Sequence, residues 1–298
     1  MLRSEGRFKF FQLIKIIMKT SKRNFYYGVI VSTLLFLATN LSAQISLAPT
    51  ILYIHENRSI GEIYVTNTAQ TAQEVNFRTE FAYPKQDENG NVILVKDDSV
   101  RFNQFGLDNH ARIFPSRMVL QPGQSQVVRI QVLPMDNPDG VYWSRFLATA
   151  SELTPDVGTN VIDGVGTQIN FVVEQNIPLF YRKGENTTGI KVVDFKTNIE
   201  DNNLIVLPRI QRTGNSPFLG TMIAELYDQD NVLVSKVQNS AFYYFDDWSK
   251  ISFPLESRES IAGNYRIAIK FITQRNSIST ADIVSSDLIV FEERIVIQ

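Results

Sequence analysis

From Gln44 onward the sequence returns repeatedly to a period of two. Gly61 to Asn67 alternates polar and apolar residues and then breaks at Asn67-Thr68, Gln73 to Arg78 alternates again, and Gln126 to Val132 is a third such run. Tyr142 to Ala150 and Ile169 to Tyr181 follow, and Asn89-Gly90, Pro122-Gly123 and Asp139-Gly140 punctuate the series. Successive side chains of a strand point to opposite faces, so this pattern spells strands with one buried face, separated by turns. The segments Glu88 to Asn109 and Ser151 to Gly166 read as loops, the first with a hairpin through Val92-Ile93-Leu94-Val95. A polar, Gly-containing stretch over 183–189 reads as a linker. Beyond it the pattern resumes in Leu204 to Ile210, Thr221 to Tyr227, Val232 to Val234, Tyr265 to Phe271 and Leu288 to Ile297. No long stretch after Gln44 has helical periodicity. The expectation is an all-β chain of two modules, over 44–182 and 190–298, each a sandwich or barrel.

The first 43 residues follow a different rule. Met18 to Arg23 is basic, an apolar run extends from Gly28 to Thr39, and Leu41-Ser42-Ala43-Gln44 offers small residues for cleavage after Ala43. That order is the order of a signal peptide, and the apolar run falls short of the ~20 residues a membrane span needs. Residues 1–43 are read as a signal peptide, with Met18 as an alternative start, and the remainder as exported to the periplasm. From Gln44 on, 22 basic residues face 30 acidic ones, a net charge of −8. A nucleic-acid binder needs the opposite sign, so no nucleic-acid partner is expected.

The chain offers little chemistry for catalysis. It has no cysteine, and its two histidines, His55 and His110, lack metal-ligand spacing. There is no Gly-x-Ser-x-Gly elbow, P-loop or His-Glu-x-x-His motif. Asp97-Asp98 and Asp246-Asp247 are adjacent carboxylates, and neighbours on a strand point to opposite faces. Trp248, beside the second pair, is either a carbohydrate-stacking ring or a packed turn aromatic. Neither an enzyme, a metal site, a cofactor nor a small-molecule substrate is expected.

The ordered motifs resemble those of PapD-like periplasmic pilus (fimbrial) chaperones. Tyr64-Val65-Thr66-Asn67-Thr68 is similar to the family's second strand and its turn. The stretch from Phe114 to Ile130 holds a proline-led strand, the turn Gln121-Pro122-Gly123-Gln124 and a return strand with Arg129, similar to one hairpin of that family. Ile177 to Arg182 resembles the end of the long seventh strand, while Arg212 to Pro217 and Gly263-Asn264-Tyr265 resemble second-domain features. The resemblance implies two immunoglobulin-like β-sandwich domains in tandem after the signal peptide.

It also implies a function: stabilising pilus or surface-fibre subunits whose own sandwich lacks a strand, by lending them an exposed strand. Protein subunits of that kind, and an outer-membrane usher, are the implied partners. The implied subunit-binding residues are Ile169, Phe171 and Val173, which share one strand face. The same pattern equally suits three residues packing this chain's own core. The family holds the subunit's terminal carboxylate with two basic residues, and the positions that align here are Thr50 and Pro178, neither of them basic. Arg182 and Lys183 are the nearby cations that could substitute in the cleft, while the match of Arg182 to a family arginine at the domain junction implies a structural ion-pair role for it. The missing basic pair keeps a second reading open: a structural or adaptor component of an envelope secretion or adhesion machine that keeps the fold and lends no strand.

Overall fold

The computed structural model describes residues 44–87, 90–153, 171–255 and 262–297. The proposed signal peptide, Ile169 and most of the Ser151–Gly166 segment lie outside the described residues.

The first half is built from β1 (Ile45–Ala48), β2 (Leu52–His55), β3 (Ile60–Asn67), β4 (Gln73–Glu80), β5 (Tyr83–Gln86), β6 (Val92–Val95), β7 (Ala111–Phe114), β8 (Arg117–Leu120), β9 (Ser125–Val132), β10 (Gly140–Glu152) and β11 (Val172–Lys183). One sheet has the order β1-β3-β9-β7 and the other β2-β11-β10-β4-β8. Alternation decides what lies between them. Ile63 and Val65 of β3, Val128 and Ile130 of β9, and Phe146, Ala148 and Ala150 of β10 all point inward and are fully buried. The chain changes sheets between β1 and β2, so one N-terminal stretch edges both layers. Asn67 closes β3 as a fully buried hub: its amide donates to the carbonyls of Thr71 and Leu120 at 2.8 and 2.9 Å and its oxygen accepts from Ala69 N–H at 2.9 Å.

The second half holds β12 (Thr188–Glu200), β13 (Asn203–Gly214), β14 (Phe218–Asp228), β15 (Leu233–Tyr243), β16 (Asp247–Trp248), β17 (Ile251–Pro254), β18 (Gly263–Ile272) and β19 (Ile289–Ile297). Its sheets run β12-β13-β16, with β17 also on β13, and β15-β14-β18-β19. Leu204, Val206, Ile210, Phe218, Leu226, Ile251, Phe253, Ile267, Ile269 and Phe271 fill the space between them. The connection between the halves is shorter than the 183–189 stretch, because β11 runs through Lys183 and β12 opens at Thr188. The chain is all-β in two tandem sandwiches, with one short helix among the described residues, α1 (Ser99–Phe105), inside a segment that reads as loop. Seven residues are too few for the helical period to stand out. Its start is nonetheless marked, since Asp98 accepts from Arg101 N–H at 3.0 Å and caps the first turn.

A third apolar cluster joins the sandwiches. Phe81, Tyr83, Trp143 and Phe180 from the first half meet Leu219, Tyr244 and Ile278 from the second, with Phe102, Phe105 and Phe245 packed around them. Trp143 stacks on Phe105 at 4.8 Å between ring centroids and meets Tyr244 edge-on at 5.0 Å. The Arg101 guanidinium caps the Phe245 ring at 4.0 Å.

The second sandwich also holds a tightly bound acid. Glu225 on β14 is 7% exposed and accepts from Lys270 Nζ, Lys236 Nζ and Tyr227 Oη, each at 3.0 Å. The hydrogen bonds from Lys270 and Lys236 lower its pKa from 4.5 to about 2. A carboxyl with a depressed folded pKa stabilises the fold above its unfolded pKa and loses that contribution as pH falls through the folded value. Thermal denaturation from pH 7 to pH 2 is expected to show a decline in stability below about pH 4.5. In Glu225→Gln that part of the decline is absent, and the pH 7 stability is lower by about 1–2 kcal/mol, discounted for the half-exposed lysines.

Candidate functional site

β11 has one flank that is unpaired over most of its length. Along its full length, Val172 to Lys183, it pairs with β10, but on the other side β2 covers only Leu179 to Arg182. Among the described residues, no strand pairs with that flank over residues 172–178. Among the described residues a side chain reaches across it: Gln175 Nε2 donates to the Ile45 carbonyl at 2.7 Å. Outward backbone groups on such a flank are satisfied by water or by another chain.

Side chains along β11 change environment along one face. Tyr181, Leu179 and Ile177 are 4%, 0% and 6% exposed and belong to the first core. Val173, on the same face, is half-buried, and Phe171, next in the alternation, is 70% exposed. Beyond Ile177 this face is interrupted by Gln175 and then presents Val173 and Phe171, progressively more exposed. Phe171 lies outside this chain's core, and Val173 stands at its margin. On the opposite face Glu174 accepts from Arg78 Nη2 at 3.0 Å, while Val172 is exposed and Phe180 is buried between the sandwiches.

Thr50 is exposed between β1 and β2, and Pro178 is half-buried on β11. Directly across from Pro178, on β10, stands Arg145. Its Nε donates to Asn176 Oδ1 at 3.0 Å, and its Nη2 donates to the same oxygen. Burial lowers its pKa while the neighbouring Tyr244 opposes that shift, and a guanidinium stays charged throughout. Arg145 has no carboxylate partner among the described residues. Nearby, burial raises the pKa of Tyr244, with Arg145 and Arg275 acting against it. Tyr53 Oη is buried and has no hydrogen-bond partner among the described residues. The half-buried cation of this region is therefore on the strand beside β11, a residue that sequence reasoning passed over. Its signal was present: Arg145 is the one charged residue in the run Tyr142 to Ala150.

Arg182 and Lys183 serve the junction. Arg182 Nε donates to Asn186 Oδ1 at 3.0 Å, and its Nη1 reaches the carbonyls of Ala281 and Asp282 at 3.3 Å. The expected ion pair is thus replaced by bonds to an amide and to main-chain carbonyls, because Asp282 turns its carboxylate to His55 Nε2 at 3.1 Å. Lys183 Nζ donates to the Asn137 carbonyl at 2.6 Å and lies 3.9 Å from Asp139. Both cations are held by their own chain.

The carboxylate pairs are structural where they are bonded. Asp98 caps α1 and accepts from Tyr83 Oη at 2.8 Å, and the Arg101 backbone bond leads in lowering its pKa. Asp247 accepts from the N–H groups of Gln86 and Trp248 at 3.2 and 2.9 Å, so it clips β5 to the second sandwich while burial raises its pKa. Among the described residues no group of three or more acidic, His or Cys side chains is placed to hold a metal ion, and no helix is long and apolar enough to cross a membrane.

Neither a protein-family model nor a curated protein matches the chain. Solved structures do resemble it. The YadV chaperone aligns at a TM-score of 0.43 and 9% identity, over 85% of this chain and 100% of that one. A chain of the Salmonella enterica SafA pilin–SafB chaperone complex aligns at 0.40 and 13%, over 85% and 98%. The Pseudomonas aeruginosa CupB2 chaperone aligns at 0.38 and 14%, over 83% and 98%. The chain's own strand order and two separate cores are what make it a tandem β-sandwich protein.

Proposed function

We propose that the chain is an exported, periplasmic chaperone that holds surface-fibre subunits whose sandwiches lack a strand, and that it does so by lending the open flank of β11. The observation that supports this reading is the flank of β11 left unpaired over residues 172–178, beside which, beyond Gln175, a half-buried Val173 and an exposed Phe171 stand on the face that Tyr181, Leu179 and Ile177 turn to the core. A subunit with a missing strand has the complementary problem: an apolar groove and unpaired backbone groups, both costly in water. Pairing the two supplies main-chain hydrogen bonds, and alternate side chains fill the groove. An outer-membrane usher is the further partner of this reading.

Arg145 answers the loss of basic residues at Thr50 and Pro178. In this reading Arg145, which lies across from Pro178, takes a subunit's terminal carboxylate through a charge-assisted bond. Arg145→Ala is expected to weaken the complex by about 1.5–3 kcal/mol, or roughly 10- to 150-fold in Kd. Hydrogen exchange is the direct test of the mechanism. In the free protein the outward amides of residues 172–178 exchange rapidly, and in a complex with a co-expressed fibre subunit they become protected. A stoichiometric complex that leaves these amides as fast as before would instead favour the adaptor reading, in which the strand is not lent.

A further inference from the structure

A second open edge lies in the other sandwich. β19 pairs with β18 along its whole length, Gly263 facing Ile297 and Phe271 facing Ile289, and is the outermost strand of its sheet. Among the described residues no strand and no other backbone bond covers its far flank. Alternation gives the strand two faces. Ile289, Phe291, Ile295 and Ile297 lean on the second core, with an exposed Glu293 among them. Val290 and Val296 stand on the outer face and are 48% and 69% exposed, with Glu292 and Arg294 between them, exposed too. Folded proteins blunt such edges with bulges, lysines or proline. β12, the edge of the facing sheet, has two of these: its register shifts between Val192 and Asp194, and it carries Lys191 and Lys196. β19 has no register shift, no lysine and no proline.

The charges of β19 are unevenly satisfied. Glu292 accepts from Arg266 Nη1 of β18 at 3.0 Å. Arg294 stands directly across from that same Arg266, cation beside cation, and forms no ion pair among the described residues. Asp228 and Asp230 border the same cavity as Arg294, but neither comes within ion-pair reach of it. Read in reverse, the strand matches itself. Two copies set antiparallel about an axis through Glu293 bring Val290 against Val296, Phe291 against Ile295 and Glu292 against Arg294, each pair occurring twice. Residues paired across a sheet share a face, so the valines and the ion pairs lie outward and Phe291 and Ile295 lie on the side of the cores. A two-fold axis perpendicular to the sheet keeps the faces, so it must pass through a residue position. Centring it on Glu292 would set Val290 against Arg294 and Phe291 against Glu293, and centring it on Arg294 would set Glu292 against Val296.

We infer that β19 is a self-pairing edge. Two copies of the chain join their β19 strands antiparallel about Glu293, making one continuous sheet from two four-stranded ones, and Glu292 of each copy reaches Arg294 of the other. The occupant is a second copy because the strand supplies its own complement in face, apolarity and charge, and because the carboxylate so delivered relieves the Arg266–Arg294 opposition. Glu293 sets the strength. It lies on the axis and faces its own counterpart, and like charges directly opposite weaken a pair. Pairing along one strand also buries less than the ~1,200 Å² of a stable complex. The dimer is therefore reversible, with a Kd on the order of 100 µM.

The chain has no cysteine, so one introduced thiol reports the register. Position 293 is the one that meets itself, and Cα atoms opposed in an antiparallel pair, ~4.5–5.5 Å apart, lie within the span of a disulfide. In the full chain after Ala43, Glu293→Cys is expected to give a covalent dimer on mild oxidation, and Glu292→Cys and Arg294→Cys about tenfold less of it. In sedimentation velocity the wild-type chain is expected to show a monomer–dimer equilibrium that Glu293→Gln tightens several-fold. Arg294→Glu and Glu292→Arg each weaken it about tenfold, since each sets like charges opposite one another twice. Mixed in equal amounts, those two variants are expected to form a heterodimer, because every charged pair flanking the axis then joins glutamate to arginine. Should Glu292→Arg fail to fold for loss of its bond to Arg266, the cross-linking series still decides. The inference is overturned by a wild-type chain that stays monomeric up to about 1 mM, by equal cross-linking at the three positions, or by self-association indifferent to the charge variants. Self-association that Phe171→Glu removes also overturns it, by giving the contact to β11. None of the β19 variants touches β11, so their failure is distinct from failure of the chaperone reading.

Discussion

Phe171→Glu is expected to abolish recovery of a bound fibre subunit while leaving the protein folded. The side chain is 70% exposed and belongs to neither core, so the free chain loses almost nothing when it is replaced. In the complex the accounting reverses. A phenyl ring buried in the subunit's groove contributes about 1.5–3 kcal/mol, and a carboxylate in its place must be desolvated without a partner. Together these exceed about 3 kcal/mol, which is more than 100-fold in Kd. Co-expression of wild-type and variant chains with a fibre subunit, followed by affinity recovery and circular dichroism, reads both halves of the prediction. Equal recovery of the subunit by a folded variant would rule out the lending of this strand.

The largest effect on stability is expected at Trp143. It is 1% exposed and touches rings from both sandwiches: Phe81 at 6.0 Å and Phe105 at 4.8 Å from the first half, Tyr244 at 5.0 Å and Phe245 at 5.7 Å from the second. Trp143→Ala removes the centre of the joint and leaves a cavity, a change that costs about 3–5 kcal/mol. Because the joint is what couples the halves, denaturant unfolding of the variant is expected to split into two transitions, one for each sandwich. Trp143→Phe is the informative companion. The indole Nε1 has no hydrogen-bond partner among the described residues, so losing it leaves no orphaned acceptor behind. This milder variant is expected to lose less than about 2 kcal/mol and to keep a single transition. Equal loss in the two variants would show that the joint's stability does not come from ring packing.

The strands were legible because alternation is a local property. Ile63 and Val65 must face one way and Glu62 and Tyr64 the other wherever β3 sits, and Pro122-Gly123 turns the chain whatever the turn connects. The resemblance added the expectation of an exposed seventh strand, and the residues that carry it lie in β11, of which residues 172–178 are unpaired on one side among the described residues. The site itself was less legible. Arg145 was missed because its relation to Pro178 is a cross-strand register between β10 and β11, set by sheet pairing and not by distance along the chain. Arg182 read as half of an ion pair, yet its partners are Asn186 and two carbonyls, since the nearby acid is turned toward His55. The helix α1 was hidden by its length, and the joint around Trp143 by the fact that aromatic residues of two cores look alike in a linear pattern.

What the amino-acid order alone determined is which faces of the strands are apolar, where turns interrupt them, and hence that the chain folds as two β-layered halves. Such features follow from dihedral preferences and side-chain polarity, which act within a few residues. Tertiary structure alone decided which apolar residues are shared between the halves, which flank of β11 no described strand pairs with, and which cation stands across from Pro178. Those depend on contacts between segments far apart in the chain, and burial and charge pairing exist only once those segments have met.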